Sequence, residues 1–472
     1  MSTGDRKQLG AWYTPPDLVE TIVDAVVTSD FVEARAGTPI SVLDPACGDG
    51  RFLAAVGDKV IRLGGTVELH GVDLDPAAVT AARTELPRAR IDEADALTQP
   101  FGGRRFDLVV GNPPFLSQMA SRTTRGGTST RGGGPYADVA VEFLALAAEL
   151  VDLDGGRVAF VLPQSVLSSR DAGAIRERIE GRASLLWSWW TGNRVFDAQV
   201  HTCVLAFEFT IGSASPIDWA GVVTGRRGVP ELPVSVSSSG LLGDRASLNA
   251  NFRDEYYGMA AAVGDHHTGP QLITSGLIDP GTSLWGRRSV TFAKQRWARP
   301  RIDIERLDPK MRTWAQRRLV PKVLVANQTR IVEAVCDPGG DWLPAVPVIA
   351  AYPSGAHWDD SDAVDGDRLA ASAWTIAAVL TSGFASAWLW HRGAGTGLSA
   401  DTIRISPVVL AELPWPAGDV TGAVDALRRG DVRECAAQVD HAYGVDASVG
   451  LRPWWVGLLE RIESRQSTAA DP

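Results

Sequence analysis

The sequence predicts an α/β protein, with a doubly wound and mostly parallel sheet near the N-terminus and a second α+β domain after it. Three observations lead there. Strand-like and helix-like segments alternate from residue 17 to residue 209, the rhythm of βα units. The strand-like runs close on acids, glycine or proline, where a chain leaves a sheet. Beyond residue 210 the rhythm stops, and a chain of 472 residues exceeds one typical core. Domains over 1–235 and 250–472 are expected.

The elements follow in order. "DLVETIVDAVV" (17–27) has helical spacing, and "ISVLDPA" (40–46) is an apolar run that closes on an acid. After "CGDG" comes the helical "RFLAAVGDKVIRLG" (51–64). "VELHGVDLD" (67–75) reads as a strand and "PAAVTAARTEL" (76–86) as a helix, with Pro76 in its first turn. "RIDEAD" (90–95) and "FDLVVGN" (106–112) repeat the strand pattern. "DVAVEFLALAAELV" (138–151) is a helix; "GRVAFVLPQSVL" (156–167) is a strand that meets a proline, and 201–209 is a further buried strand. The Gly-, Ser- and Pro-rich stretch 211–248 holds short strands or a linker. In the second domain "PKVLVAN" (321–327) is β-like, and "AWTIAAVLTSGFASAWLWHR" (373–392) reads as one helix.

Composition is ordinary for a globular chain, with no long uninterrupted apolar run and a polar N-terminus. Cys47, Cys203, Cys336 and Cys435 form no CxxC pair, so neither a metal centre nor a disulfide framework is expected, and the default location is cytoplasmic. His201, alone in an apolar run, reads as a packing or capping residue. Net charge is −10, yet Arg287 to Arg330 holds 13 Lys/Arg against Asp303, Glu305 and Asp308. Trp297 and Trp314 are interleaved with this tract, the pattern of a localised anion-binding face. "SRTTRGGTSTRGGGP" (121–135) is a second cationic segment, without an acid.

Two constellations carry chemistry. In the first, Asp44, Asp73 and Asp95 end successive strands above a loop containing Ala46, Cys47, Gly48 and Gly50. Leu53 stands where a dinucleotide fingerprint needs its third glycine, which weakens a pyrophosphate-binding reading. Asp73 suits the hydroxyls of a ribose and Asp95 an adenine amino group, so the set describes a site for an adenosine without phosphate, where a sulfonium cation is welcome. The competing reading makes each acid a helix cap. In the second constellation, Asn112, Pro113, Pro114 and Phe115 follow the fourth strand. An aromatic amine is a poor nucleophile because its lone pair is delocalised into the ring. The Asn112 amide oxygen and the Pro113 carbonyl, held rigid by Pro114, can accept its two N–H bonds and favour a pyramidal nitrogen. Phe115 can then stack on the base.

"YTPPDLVETIV" (13–23), "DPACGDGRFL" (44–53), "GVDLDP" (71–76), "EAD" (93–95) and "GNPPF" (111–115) together resemble the ordered motifs of γ-class N6-adenine DNA methyltransferases, the TaqI-type enzymes. The resemblance implies a Rossmann-like class I methyltransferase sheet with a C-terminal target-recognition domain, and S-adenosylmethionine as cofactor. It implies that Tyr13, Thr14 and Pro15 cap the methionine end and that Asp44 and the 47–50 loop hold its amino-acid moiety. Asp73, with Leu74 beside it, takes the ribose and Asp95 the adenine. It nominates Phe196 as a second stacking wall for the target base. The closing stretches "RGAGTGLSADTIRISPVVLAELPWP" (392–416) and "QVDHAYGVD" (438–446) resemble the ends of target-recognition domains.

The implied substrate is an adenine flipped out of double-stranded DNA. Arg122, Arg125 and Arg131, with Arg287, Arg288, Lys294, Arg296 and Arg299, are the expected phosphate-gripping cations. A monomer is expected, without a membrane role, serving in restriction–modification or phage defence beside a separate nuclease or defence proteins. The rival readings are an RNA or protein-glutamine methyltransferase with the same NPPF site, an N4-cytosine enzyme, and a catalytically idle DNA-binding specificity protein.

Overall fold

The computed structural model describes residues 14–115, 131–134, 137–192, 201–212, 214–251, 253–355 and 365–469. The chain divides into two compact units, residues 1–223 with 394–400, and residues 224–393 with 401–472. Residues 224–235, expected in the first domain, thus go with the second unit, and a short loop from late in the chain returns to the first.

Unit 1 is built on a seven-stranded sheet of order β3-β2-β1-β4-β5-β7-β6. Its strands are β1 (Ile40–Asp44), β2 (Val67–Asp73), β3 (Arg90–Glu93), β4 (Leu108–Gly111), β5 (Arg157–Pro163), β6 (Ala183–Trp190) and β7 (Thr202–Phe209). The first five are parallel, and β7 runs antiparallel between β5 and β6. Parallel strands need crossover helices and are buried on both faces, which is why β4 and β5 read as unbroken apolar runs and are buried throughout.

Helix α1 (Pro16–Val26) starts on a proline, whose missing N–H is no loss in a first turn, and buries Leu18, Val19, Ile22, Val23 and Val26 at helical spacing. Helix α2 (Arg51–Arg62) buries Phe52, Leu53, Val56 and Val60 in the same way. Helix α3 (Pro76–Glu85) is capped by Asp75, whose carboxylate accepts from the Ala77 amide. Helix α4 (Val139–Leu150) is buried on nearly every side and capped by Asp138. The sheet order reverses between β1 and β4, so a crevice opens at their C-terminal ends.

Unit 2 holds an antiparallel four-stranded sheet formed by Ala246–Ala250, Ile349–Pro353, Lys322–Val325 and Ala334–Asp337. A second four-stranded sheet contains Gln271–Ile273 and Trp342–Pro344. The stretch expected as one helix over 373–392 is two, α5 (Gly366–Leu380) and α6 (Gly383–Gly393), bent by 66°. The break has a local cause. The Thr381 hydroxyl donates back to the Ala377 carbonyl, and Ser382 Oγ accepts from the Ala385 amide as a new N-cap. Buried Asp440 also accepts from the Phe384 amide at 2.8 Å.

Burial raises the Asp440 pKa from 3.8 to about 7, against the pull of the Phe384 and Gly383 amides. The folded state therefore keeps a proton that the unfolded chain sheds at lower pH. Its contribution to stability is complete below the unfolded value and is lost as pH rises through about 7. Asp440→Asn lacks this dependence. The melting temperature of the variant should gain on wild type by several degrees between pH 5 and pH 8, for a linkage of at most about 4 kcal/mol. Calorimetry at matched ionic strength measures it, and parallel pH profiles would refute the assignment.

Candidate functional site

The crevice at the ends of β1, β2 and β4 holds a pocket of about 1000 Å³ counted out to its open mouth, within the range of small-molecule sites. It brings together Thr14, Asp44, Ala46, Cys47, Gly48, Asp73, Leu74, Asp95, Asn112 and Pro114, residues spread over one hundred positions of sequence.

The glycine loop is held from two sides. The Cys47 amide donates to the Val72 carbonyl at 2.9 Å, and the Gly48 amide donates to Asp73 Oδ2 at 2.8 Å. Asp73 Oδ1 accepts from the Asp75 amide. A carboxylate has about four acceptor directions, so both oxygens keep capacity for hydroxyl donors. Asp44 is 1% exposed, and its Oδ1 accepts from the Ala46 amide. Asp95 Oδ1 accepts from the Leu97 amide, a turn of its own that leaves it lining the pocket.

Electrostatics separates the two ends of the sheet. At the N-terminal end, Asp107 is half-buried, but Ser41 and Arg35 hold its carboxyl below the usual range. At the C-terminal end, burial pushes the carboxyls of Asp44 and Asp73 up, and neighbouring acids add to the rise. No cation enters among the causes of either shift. An acid-rich hollow of this kind favours a cationic ligand. The Cys47 thiol is pushed up as well, first by burial and then by Asp44 and Asp73, so it is not a reactive thiolate.

Gly111 explains how the second constellation meets the first. A Cβ there would lie 2.5 Å from Asp44 Oδ1, so only glycine lets β4 pass beside that carboxylate. Asn112 follows at once, and Asn112 and Pro114 line the same pocket as the three acids.

Other expected residues stand differently. Gly50 is in the left-handed region (φ 85°), and a Cβ there would meet Leu86 and Ala82, so this glycine serves the turn into α2 and its packing rather than a ligand. Pro15, Pro113 and Phe115 do not line the pocket, and Phe115 is only 5% exposed. Tyr13, Arg122, Arg125 and Phe196 lie outside the described residues. Arg131 reaches Glu149 and the Leu97 carbonyl, bonds internal to unit 1.

Arg287, Arg288, Lys294, Arg296 and Arg299 surround a hairpin of strands Val290–Phe292 and Gln295–Trp297. Its turn residues Ala293 and Lys294 both adopt left-handed conformations (φ 52° and 63°), which non-glycine residues rarely do. Buried Phe292, whose carbonyl accepts from Trp297 Nε1, holds the turn in place. Lys294 thereby stands exposed at the tip.

The pocket also contains residues that the sequence did not single out. Arg51 donates to the Thr14 carbonyl and pairs with Asp49, tying the N-terminal segment to the glycine loop. Its place as first residue of a helix after a glycine loop was a usable signal. Phe143 of α4 gave none, being one apolar residue among many in a buried helix.

The sheet order and the acid-lined pocket at its switch point define a class I methyltransferase fold. Residues 2–207, within unit 1, match the family model "N-6 DNA Methylase", a likeness that agrees with S-adenosylmethionine as the cofactor. Two curated relatives agree. The chain is 31% identical over 220 residues to the type II methyltransferase M.TthHB8I of Thermus thermophilus, covering 44% of this chain and 46% of that one. It is 27% identical over 171 residues to M.CvrRI of Paramecium bursaria Chlorella virus XZ-6E, covering 36% and 40%. The match spans less than half the length of these relatives. A solved structure of the type IIL restriction–modification enzyme MmeI with DNA aligns with 98% of this chain and 80% of that one, at a TM-score of 0.60 and 12% identity. That likeness is one of fold, and it extends beyond the methyltransferase sheet.

The residues present fit S-adenosylmethionine. Asp73 and Asp95 offer acceptors for a nucleoside, and the hollow favours a cation. Asp73→Ala should weaken cofactor binding by roughly ten- to hundredfold, the worth of hydrogen bonds to a charged acceptor. Titration calorimetry with S-adenosylmethionine measures this, and unchanged affinity would remove Asp73 from the site. Gly111→Ala should lower stability by about 1–3 kcal/mol by overpacking Asp44 and should weaken cofactor binding in parallel. A variant with wild-type melting and affinity would contradict the close approach.

Proposed function

We propose that the protein is a site-specific DNA methyltransferase that moves the methyl of S-adenosylmethionine to N6 of an adenine flipped out of double-stranded DNA, in the manner of a γ-class modification enzyme. The observation that carries this reading is the placement of Asn112 and Pro114 on the pocket that also contains Asp44, Asp73 and Asp95. The Asn112 amide and a hollow suited to a nucleoside with a sulfonium thus share one space.

The cofactor supplies an electrophilic methyl group. Asp44 and the Gly48 loop would hold its amino-acid end, and Asp73 would hold the ribose. The Asn112 amide oxygen and the Pro113 carbonyl accept the two N–H bonds of the target amine and turn its lone pair toward the methyl. As the nitrogen bonds the methyl, the methyl–sulfur bond would break with its electron pair going to sulfur, leaving a neutral thioether; the nitrogen would then lose one proton to solvent, so no strong base is required. A base inside a duplex cannot reach this position, and extrusion costs a few kcal/mol.

Unit 2 supplies the remaining argument for DNA. Its exposed Arg287, Lys294, Arg296 and Arg299 lie on and beside one hairpin whose strained tip projects a lysine. Fixed cations of this kind grip phosphates, and DNA affinity would fall steeply with salt. The family description and the curated type II methyltransferases support the same substrate class. A place in restriction–modification or phage defence, with a separate nuclease, follows from that reading.

Purified protein incubated with S-adenosylmethionine and genomic DNA should form N6-methyladenine, detected by nucleoside mass spectrometry. Asn112→Ala should reduce the rate by roughly a hundredfold or more while retaining cofactor and DNA binding. Product on cytosine N4, on RNA or on a protein glutamine would replace the reading with the corresponding rival. Absence of product with intact cofactor binding would sink it.

A further inference from the structure

One wall of the pocket is a small bridge between two segments of unit 1. Thr14, just before the Pro15–Pro16 start of α1, is 2% exposed, and Arg51 opens α2; both line the pocket. The Arg51 guanidinium joins them to the glycine loop. Its Nε and Nη2 donate to the two oxygens of Asp49, at 3.0 and 2.6 Å, and its Nη1 donates to the Thr14 carbonyl at 2.8 Å. A carboxylate on one edge of a planar guanidinium fixes its plane, so the opposite corner stays aimed at Thr14.

The Thr14 carbonyl is a suitable handle for this segment. Pro15 and Pro16 have no N–H, so neither can tie the chain down through a backbone donor. The Pro15 carbonyl is already taken by the Leu18 and Val19 amides of α1. Beyond Asp49 the connection continues into the site, because the neighbouring Gly48 amide donates to Asp73 Oδ2. Thr14, Arg51, Asp49 and Gly48 thus form one bonded run that ends on Asp73. Charge alone would act in the opposite direction. Asp44, Asp49, Asp73, Asp75 and Asp95 line the pocket, and Arg51 is the one cation among the described lining residues. Through its charge Arg51 opposes a sulfonium ligand, so its removal would tighten binding if charge were its whole effect.

We propose that Arg51 is a positioning residue for the cofactor: its fork clamps the Thr14 segment against the glycine loop and so slows the release of S-adenosylmethionine. The clamp holds the wall of the pocket and does not act on the sulfur, so it retains the methylated and the demethylated cofactor alike. This role requires S-adenosylmethionine in the pocket and is independent of the acceptor that receives the methyl.

The test uses the full-length protein with S-adenosylmethionine and with S-adenosylhomocysteine, whose sulfur is neutral, in titration calorimetry and stopped-flow release. Arg51→Ala should raise both dissociation constants by about tenfold through faster release, with their ratio within about twofold of wild type. Arg51→Lys keeps the charge without the fork and should lose most of the same affinity. Hydrogen exchange over residues 14–24 should quicken in ligand-free Arg51→Ala while exchange over β2 keeps its wild-type rate, which separates loss of the clamp from general loosening. Tighter binding of S-adenosylmethionine by Arg51→Ala, wild-type affinity in Arg51→Lys, or equal quickening of exchange in both segments would overturn the clamp. Wild type that binds neither compound is a distinct result that would overturn the cofactor assignment and this inference with it.

Discussion

The site depends on one close approach. The Asp44 carboxylate occupies the space where a side chain at position 111 would stand, so the end of β1 and the end of β4 touch through an acid and a glycine. That contact joins the glycine loop to the Asn-Pro-Pro-Phe segment. It also fixes the depth at which Asn112 leaves the sheet, since Gly111 is still paired in register with Phe160 of β5. Geometry within fractions of an ångström is what a transfer between two bound groups requires.

Burying Asp44 carries an electrostatic cost that the fold tolerates at this end of the sheet only. At the opposite end, acids are matched with Arg35 and Arg157, the second bonding Glu208 and the Val26 carbonyl. At the pocket, Asp44 and Asp73 are satisfied by backbone amides and raised by burial. A cationic ligand would favour the charged carboxylates and so offset the effect of burial.

Unit 2 shows how charge in sequence differs from charge in space. The tract from Arg287 to Arg330 reads as one cationic stripe. In the structure Lys322 is buried against Asp337, Arg312 pairs with Glu305, Arg330 pairs with Asp401, and Arg318 stacks on Trp314. Arg287, Lys294, Arg296 and Arg299 are exposed on and beside one hairpin, while Arg306, Lys310 and Arg317 are exposed farther along the chain. The interleaved tryptophans prove to be packing residues, with Trp297 and Trp314 set against the core beneath that hairpin.

By itself the sequence determined the βα order, the strand-end acids and the Asn-Pro-Pro-Phe bracket. Period, proline and glycine act locally, and each leaves its mark within a few residues. It also contained the "TSG" that breaks 373–392, but the apolar periodicity on both sides hid it. Tertiary structure alone decided that Gly50 serves a turn, that Arg51 and Phe143 complete the pocket, and that 394–400 returns to unit 1. These depend on which atoms meet across long separations in the chain, where the position of one side chain is set by the volume of another. The bracket is legible as letters; only the packing of Asp44 against Gly111 places it over a cofactor pocket.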